Sequence, residues 1–276
     1  MVSSAFLFGL FAFVAVARPP YRRGTGTVKC PIVLDGRVPV DTELFDFDSS
    51  ATSPFNPDFI RGPEKFSEIL LFPDVPNSRF DDESYKSIEV TINDQSIFQS
   101  QKGFRRIGLQ IQGDENTGGP GTVGVRTLHW SVKQDPARTL NLTHEYLNVW
   151  HETSATGTII GQSGNENTFK ILNRQNIEVW SIPINCEEWQ NFAVTLDFNK
   201  NTLQVYYSLG DAPLKEVTPA LSNNNAGQGQ YQIGILKKPT GTDDVVNSGF
   251  QETGIDEGQI YGGIFLEDST GGCVSL

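Results

Sequence analysis

The sequence is short of cationic residues, and this shortage limits the partners it can have. Its 276 residues contain 21 Lys and Arg against 33 Asp and Glu, which gives a formal net charge of -12. Nucleic acids and anionic membrane surfaces attract cationic proteins, so neither is expected as a partner. Charged residues make up only 20% of the chain, whereas it has 27 glycines and 11% aromatic residues. This composition suits a neutral polar partner such as a polysaccharide.

The signatures of several enzyme classes are missing. The sequence has no serine nucleophile elbow, no phosphate-binding loop and no dinucleotide-binding fingerprint. The cysteine spacing fits no zinc site, and His144 and His151, seven residues apart on a predicted strand, face opposite sides. The acidic clusters at 81–83 and 114–115 could bind a structural calcium, although such clusters are more typical of solvated loops. We therefore predict no metal and no cofactor.

Long apolar segments are missing apart from one at the N-terminus. Residues 5–17 are apolar but too short to span a bilayer comfortably, and they end in the small-residue pattern Ala15-Val16-Ala17. This pattern indicates a removable export signal over 1–17, with a membrane anchor as the alternative. The dibasic pair Arg22-Arg23 makes 18–23 a possible short pro-segment. We expect residues 24–276 to form a single secreted, monomeric domain with no membrane attachment.

Cysteine is scarce, with only three residues in the chain. An odd number in an oxidising compartment indicates one disulfide and one remaining thiol. Cys30 and Cys273 lie at opposite ends of the predicted domain, and chain termini often meet in a closed sandwich. We therefore predict a Cys30–Cys273 disulfide and a buried, inert Cys186. Asn141, in the triplet Asn141-Leu142-Thr143, is a potential glycosylation site.

What the sequence does contain is alternating strand patterns, spread evenly along the chain and separated by turn residues. No long stretch keeps a helical period. The patterns cover 87–92, 127–132, 192–198, 203–208, 231–236 and 259–266, with a hairpin turn at 199–201. Regular strands without helical blocks predict an all-β, antiparallel two-sheet sandwich or jelly roll of the concanavalin-like type.

The segment from Gly103 to Glu152 is the first candidate for a functional site. Ile107, Leu109 and Ile111 repeat every second residue, so the opposite strand face carries Phe104, Arg106, Gly108 and Gln110. The second strand, 142–152, alternates in the same way. With Leu147 and Val149 directed inward, the outward residues are His144, Tyr146, Asn148, Trp150 and Glu152. Two such strands in one sheet would form an aromatic and acidic groove.

Each residue of this groove also has a structural interpretation. Trp150 is equally typical of a sugar platform and of core packing. Most glutamates on strands are simply exposed, and only the neighbouring Arg106, His144 and Trp150 make Glu145 and Glu152 candidates for catalysis.

Several motifs in the chain resemble the fungal glycoside hydrolase family 131 domain. They are the opening at 30–39, the segments 53–57, 103–106, 127–129 and 140–146, and the ending at 260–269 and 272–276. The resemblance covers nearly all of the chain after the export signal. It implies a β-jelly roll with a concave substrate groove, found in secreted fungal enzymes that act on β-glucans.

One departure from this resemblance affects the predicted chemistry. In similar proteins the arginine-rich strand continues with a glutamate that is one of two catalytic carboxylates, and here that position is Gly108. Glycoside hydrolysis requires a pair of carboxyl groups across the scissile bond. The resemblance places the second carboxylate at Glu145 or Glu152: the strand face favours Glu152, and the nearby motif favours Glu145. Gln232 also stands where a histidine is expected.

Three hypotheses follow, in this order. The first is a secreted β-glucan hydrolase, weakened by Gly108, in which Glu145 or Glu152 acts as acid or base. Arg106, Gln110, His144, Tyr146 and Trp150 would bind the sugar. The second is a β-glucan-binding relative without catalysis. The third is a polysaccharide lyase using His144, Tyr146 and Arg106, although an acidic surface would repel its uronate polymer.

Overall fold

The computed structural model describes residues 26–115, 118–152, 156–160 (backbone only) and 167–276. The predicted export signal (1–17) and pro-segment (18–23) lie outside these residues. Within the described residues, no helix is long and apolar enough to cross a bilayer.

Nearly all regular structure in the described residues is extended. The exceptions are the helix α1 (Phe66–Ile69) and three 3₁₀ turns at Leu44–Asp48, Pro120–Thr122 and Thr270–Gly272. The strands are β1 (Ile32–Asp35), β2 (Val38–Pro39), β3 (Leu70–Leu71), β4 (Tyr85–Lys86), β5 (Ile88–Asn93), β6 (Arg105–Leu109), β7 (Val125–Gln134), β8 (Tyr146–His151), β9 (Thr156–Ile160), β10 (Thr168–Leu172), β11 (Glu178–Pro183), β12 (Gln190–Asp197), β13 (Thr202–Leu209), β14 (Lys215–Glu216), β15 (Leu221–Ser222), β16 (Tyr231–Lys237) and β17 (Asp256–Asp268). The six segments at 87–92, 127–132, 192–198, 203–208, 231–236 and 259–266 form strands, whereas the predicted strand 142–152 begins only at Tyr146, so His144 and Glu145 lie before it.

Two antiparallel sheets make up the body of the molecule, as predicted for a jelly roll. One sheet has the order β14-β13-β12-β7-β17-β5-β3, with β1 paired to β17 and β15 to β13. The other has the order β11-β10-β9-β8-β16-β6, and β2 and β4 form a separate ribbon. The predicted hairpin joins β12 to β13, and Asn201 adopts a φ of 56° in its turn.

The hydrophobic core lies between these sheets. β6 contributes Ile107 and Leu109 and β16 contributes Ile233 and Ile235, all of which are buried in one cluster with residues of β5, β7 and β12. The residues between these on β6 and β16 therefore lie on the outer face of the six-stranded sheet. This face carries the candidate site.

The disulfide predicted between Cys30 and Cys273 is present and joins positions 243 residues apart in sequence. The C-terminal segment is also held by Ser275, whose Oγ donates to Glu267 (2.6 Å). Glu267 in turn contacts His129 Nε2 at 2.8 Å, and both side chains are fully buried. The prediction for Cys186 is wrong: this free cysteine is exposed, because it lies in a polar loop with Glu187 and Glu188.

Candidate active site

The first site strand, β6, follows the predicted alternation. Ile107 and Leu109 lie in the core, while Arg106 and Gly108 lie on the outer face. Gln110, two residues beyond Gly108, accepts a hydrogen bond from Asn56 Nδ2 at 3.0 Å. The period-two pattern is uninterrupted here, so sequence reasoning placed each side chain on the correct face.

The second site strand, β8, contains a bulge that sequence reasoning missed. Its register shifts against β9 between Leu147 and Val149, and the register of β16 against β8 also shifts. Asn148 donates to Gln259 of the opposite sheet and its neighbour Val149 is in the core, so two consecutive residues face inward. A bulge of this kind resets the alternation, and residues before and after it change faces.

The bulge corrects the predicted orientation of Tyr146, Asn148 and Leu147. Tyr146 is fully buried in the core, where its hydroxyl donates to Glu257 Oε2 at 2.7 Å. Leu147, predicted to point inward, packs instead against the outer cluster of Phe104, Trp150 and Leu236. Tyr146 therefore does not line the predicted groove, whereas Trp150 and Glu152 lie on its face.

The structure also separates Glu145 and His144 from Glu152. The Glu145 carboxylate pairs with the Lys238 side chain, just after the end of β16. His144 is buried, with Nδ1 2.7 Å from the Lys238 carbonyl and Nε2 3.0 Å from Glu252. Glu152 instead contacts Gln232, six residues before Lys238. At about 3.3 Å per strand residue, the two contact points are roughly 20 Å apart.

A hydrogen-bonded network on the outer face joins β6, β16 and β8. Arg106 Nη2 donates to Gln232 Oε1 at 3.4 Å, and Gln232 Nε2 donates to Glu152 Oε2. The Trp150 indole N–H donates to the same Glu152 oxygen at 3.2 Å. We call the outer face formed by Arg106, Gly108, Gln110, Trp150, Glu152 and Gln232 the groove. Its central connection, Gln232, lies on β16 between the two strands that the sequence singled out.

Gly108 lies directly beside this network. An added Cβ at Gly108 would be 3.3 Å from Gln232 Oε1 and 3.3 Å from Ile60 Cβ. The Gly108 amide also donates to the Ile60 carbonyl at 2.8 Å. The Gln232 amide group therefore lies next to position 108 through its oxygen and contacts the Glu152 carboxylate through its nitrogen. Ile60, which the sequence did not indicate, packs against the outer side of position 108.

The groove contains a buried cation. Arg106 is 8% exposed, and burial lowers the pKa of its guanidinium to about 10, although the nearby Glu152 carboxylate acts in the opposite direction. It remains charged at neutral pH. Its guanidinium lies 5.6 Å from the Trp150 ring and donates to Gln101 at 3.0 Å. Trp150 is itself 8% exposed, so most of its ring is used in packing.

The groove continues past Gln110 into a pocket of about 560 Å³. Its wall is rich in side-chain amides and includes one aromatic ring; we call it the amide pocket, formed by Asn56, Phe59, Gln110, Gln112 and Gln230. Side-chain amides both donate and accept hydrogen bonds, which suits ligands with many hydroxyl groups. Gln230 and Phe59 were not recognised from sequence, since isolated polar or aromatic residues in loops carry no distinctive pattern.

Asp114 lies at the rim of the amide pocket and binds the first residue of β16. Its Oδ2 accepts the backbone N–H of Tyr231 at 2.7 Å. Burial raises the pKa of Asp114 to about 7, and the Tyr231 N–H opposes this shift. In the described residues, no three His, Cys, Asp or Glu side chains are grouped so as to hold a metal ion.

The potential glycosylation site Asn141 takes part in internal contacts. Its Nδ2 donates to Glu252 Oε1 at 2.8 Å, and its Oδ1 accepts from Thr143 Oγ1 at 2.8 Å. Glu252 also contacts the buried Lys237 ammonium. A glycan on Nδ2 would compete with the Asn141–Glu252 hydrogen bond.

Comparisons with known proteins agree with the fold and with the earlier resemblance. A search of curated protein sequences gives no match. The structure is similar to the catalytic domain of a glycoside hydrolase family 131 protein from Coprinopsis cinerea, with TM-score 0.71 and 23% identity over 86% of this chain and 94% of that one. It is equally similar to a GH131 beta-glucanase catalytic domain from Podospora anserina, with TM-score 0.71 and 21% identity over 86% and 95%. The family model of the glycoside hydrolase 131 catalytic N-terminal domain matches residues 32–272. The chain therefore belongs to glycoside hydrolase family 131.

Proposed function

We propose that this chain acts on β-glucan through the groove, with Glu152 as its reactive carboxylate and with slow hydrolysis. The observation that carries the proposal is the contact of Glu152 with Gln232, next to Gly108 and Arg106. Family membership and the beta-glucanase from Podospora anserina support the class of substrate.

Glu152 is suited to proton transfer by its placement. Its carboxylate is on an exposed residue, where a sugar or a water molecule can reach it, and two donors on Trp150 and Gln232 hold one of its oxygens. A positioned carboxylate of this kind can take a proton from an attacking water molecule. Glu145 is a weaker candidate because its carboxylate is paired with Lys238 at the far end of β16.

The substrate would lie along the outer face, between Arg106 and the amide pocket. Arg106 is as buried as Trp150 and donates to Gln101 and Gln232, so it holds Gln232 beside Glu152, while Gln110 with the other pocket amides can bind the sugar units. Trp150 contributes mainly by orienting Glu152, since its ring is largely buried. Tyr146 and His144 have no part in this proposal because both face internal partners.

Slow hydrolysis follows from Gly108. A glycoside hydrolase of the usual type has two carboxyl groups across the bond that it breaks. Glycine supplies neither a proton nor a charge at the second position. The same observation favours a second candidate function, β-glucan binding without hydrolysis.

The two functions are separated by assaying wild type and Glu152→Gln side by side. Reducing-sugar release from purified β-1,3-, β-1,4- and β-1,6-glucans measures hydrolysis, and a pull-down on the same insoluble glucans measures binding. We expect slow wild-type hydrolysis that falls a further 10²–10⁴-fold in Glu152→Gln, with binding retained. Binding without any wild-type hydrolysis would support the second candidate, and absence of binding to every glucan would refute both.

We further propose that the protein is secreted. The Cys30–Cys273 disulfide supports this proposal, because such bonds persist in oxidising compartments. N-terminal sequencing of protein recovered from culture medium tests it: we expect a start after Ala17 or Arg23. Retention of the intact N-terminus inside the cell would contradict it.

A further inference from the structure

A second concavity lies outside the groove, between the β2–β4 ribbon and the segment that follows β3. It has a volume of about 390 Å³, within the range of small-molecule sites. We call it the Tyr85 pocket. Its lining includes Val40, Phe72, Asp74, Val75, Asn77, Glu83, Tyr85 and Lys86. The groove lies on β6, β8 and β16 of the other sheet, so the two sites share no residue.

Apolar and aromatic surface forms part of the pocket wall. Val40 is 56% exposed and lines the pocket. The Arg37 guanidinium lies 4.0 Å from the centre of the Tyr85 ring and covers one of its faces. Tyr85 is half-buried and lines the pocket, so it offers a ring that is already fixed in place. Fixed aromatic rings suit the apolar C–H face of a pyranose.

The charges of the pocket disfavour an anionic ligand. Asp74 and Glu83 place two carboxylates at the pocket, which disfavours an anion. The Lys86 ammonium lies 3.6 Å from the centre of the Phe72 ring and donates to the Thr42 carbonyl, so it is already engaged within the protein. Burial lowers the Lys86 pKa, and the acidic residues Glu43, Asp41 and Asp46 oppose this shift. A neutral ligand with hydroxyl groups suits the pocket, because hydroxyl groups donate to carboxylates.

One side-chain amide in the pocket wall is held in a fixed orientation. Asn77 donates through Nδ2 to the carbonyls of Asp82 (2.7 Å) and Tyr85 (3.2 Å). An amide oriented in this way suits a ligand with hydroxyl groups, because its oxygen is a hydrogen-bond acceptor. The pocket therefore combines an oriented amide with a fixed aromatic ring.

We infer that the Tyr85 pocket is a second carbohydrate site, which binds a neutral pyranoside away from the groove. The choice of a glucan as its ligand rests on the proposed function, whereas the ligand class rests on the pocket itself. A site of this kind would hold a second segment of the polysaccharide while another segment lies in the groove.

Amide NMR with cellotriose and laminaritriose tests this inference. The Val75 and Tyr85 amides report on the Tyr85 pocket, and the Gly108 and Gln232 amides report on the groove. We expect saturable shifts at Val75 and Tyr85, and an apparent affinity at least about tenfold weaker in Val40→Trp, which fills the pocket. The matched control is Val123→Trp, a valine 51% exposed elsewhere on the surface, which should leave these shifts unchanged. A trigalacturonate of equal length should bind more weakly because Asp74 and Glu83 repel it.

The outcomes for the two sites are distinguishable. No saturable shift at Val75 and Tyr85 overturns the second site, even where Gly108 and Gln232 respond. Shifts that persist in Val40→Trp also overturn it. Shifts at the Tyr85 pocket alone support the second site and count against the proposed groove. Should Val40→Trp fail to fold, Glu83→Gln provides the second variant; it removes the charge and replaces one of the two acceptor oxygens by a donor, and weaker binding is expected.

Discussion

Replacing Gly108 by glutamate should raise the rate of glucan hydrolysis. The new carboxyl group would lie beside Gln232, whose amide contacts Glu152. The groove would then contain the pair of carboxyl groups that hydrolysis requires. A general acid or base contributes typically about 10²–10⁴ in rate, and we expect a gain of this order.

The structure limits how easily this side chain fits. Gly108 has no positive φ, so its backbone accepts an L-residue, and replacing glycine in a strand typically gains about 0.5–1 kcal/mol. Against this, the 3.3 Å approach to Ile60 is tighter than most Cβ contacts, and crowding of this kind costs roughly 1–3 kcal/mol. We therefore expect a net loss of stability of no more than about 2.5 kcal/mol.

The matched control is Gly108→Gln, which has the same size and no acid. Reducing-sugar release from laminarin and from β-1,4-glucan is measured for both variants, together with their melting temperatures and glucan binding. A folded, glucan-binding Gly108→Glu variant that is no faster than Gly108→Gln would refute the reasoning. So would full wild-type activity that depends on a carboxylate other than Glu152.

Three further expectations concern orientation, pH and the disulfide. Trp150→Phe keeps most of the packing but removes the N–H that holds Glu152, so hydrolysis should fall while glucan binding and melting temperature change little; equal loss of both would assign Trp150 to binding or packing. Burial raises the pKa of Asp114 from 3.8 to about 7, so its stabilising contribution is complete below about pH 4 and is lost as pH rises through 7. For Glu252, whose pKa is lowered from 4.5 to about 2, the stabilising contribution is complete above pH 4.5 and is lost as pH falls. Between pH 5 and pH 8 the contribution of Asp114 is lost while that of Glu252 is unchanged, so the melting temperature should be higher near pH 5 than near pH 8. Asp114→Asn should reduce that difference, and an unchanged difference would contradict the assignment. Removing the disulfide by Cys30→Ser and Cys273→Ser should cost about 2–5 kcal/mol in urea unfolding, and no change in midpoint would contradict a stabilising role.

The sequence predicted the strands that depend on a regular period of two. In β6, Ile107 and Leu109 alternate without interruption with Arg106 and Gly108, so the core face follows from the pattern alone. The Cys30–Cys273 disulfide was also predictable, because the chain termini of a β-sandwich often lie close together.

The face of each residue in β8 could not be predicted in this way. The bulge depends on partners distant in sequence: Asn148 binds Gln259, and Tyr146 binds Glu257, both on β17. A local pattern contains no information about these contacts. Cys186 was misplaced because cysteine is usually buried, whereas here its loop neighbours are two glutamates. The position of Ile60 above Gly108 likewise results from a loop that returns across the sheet.

The bulge in β8 has a consequence for how this strand can vary. One residue more or fewer between Tyr146 and Trp150 would exchange the side chains that lie in the groove with those that face the opposite sheet. Glu152 would then be directed into apolar surroundings, and His151, now packed 4.6 Å from the Tyr231 ring, would emerge in the groove. A single-residue insertion or deletion at this point should therefore disturb the groove more than a substitution does. The length of the strand here decides which side chains lie in the groove.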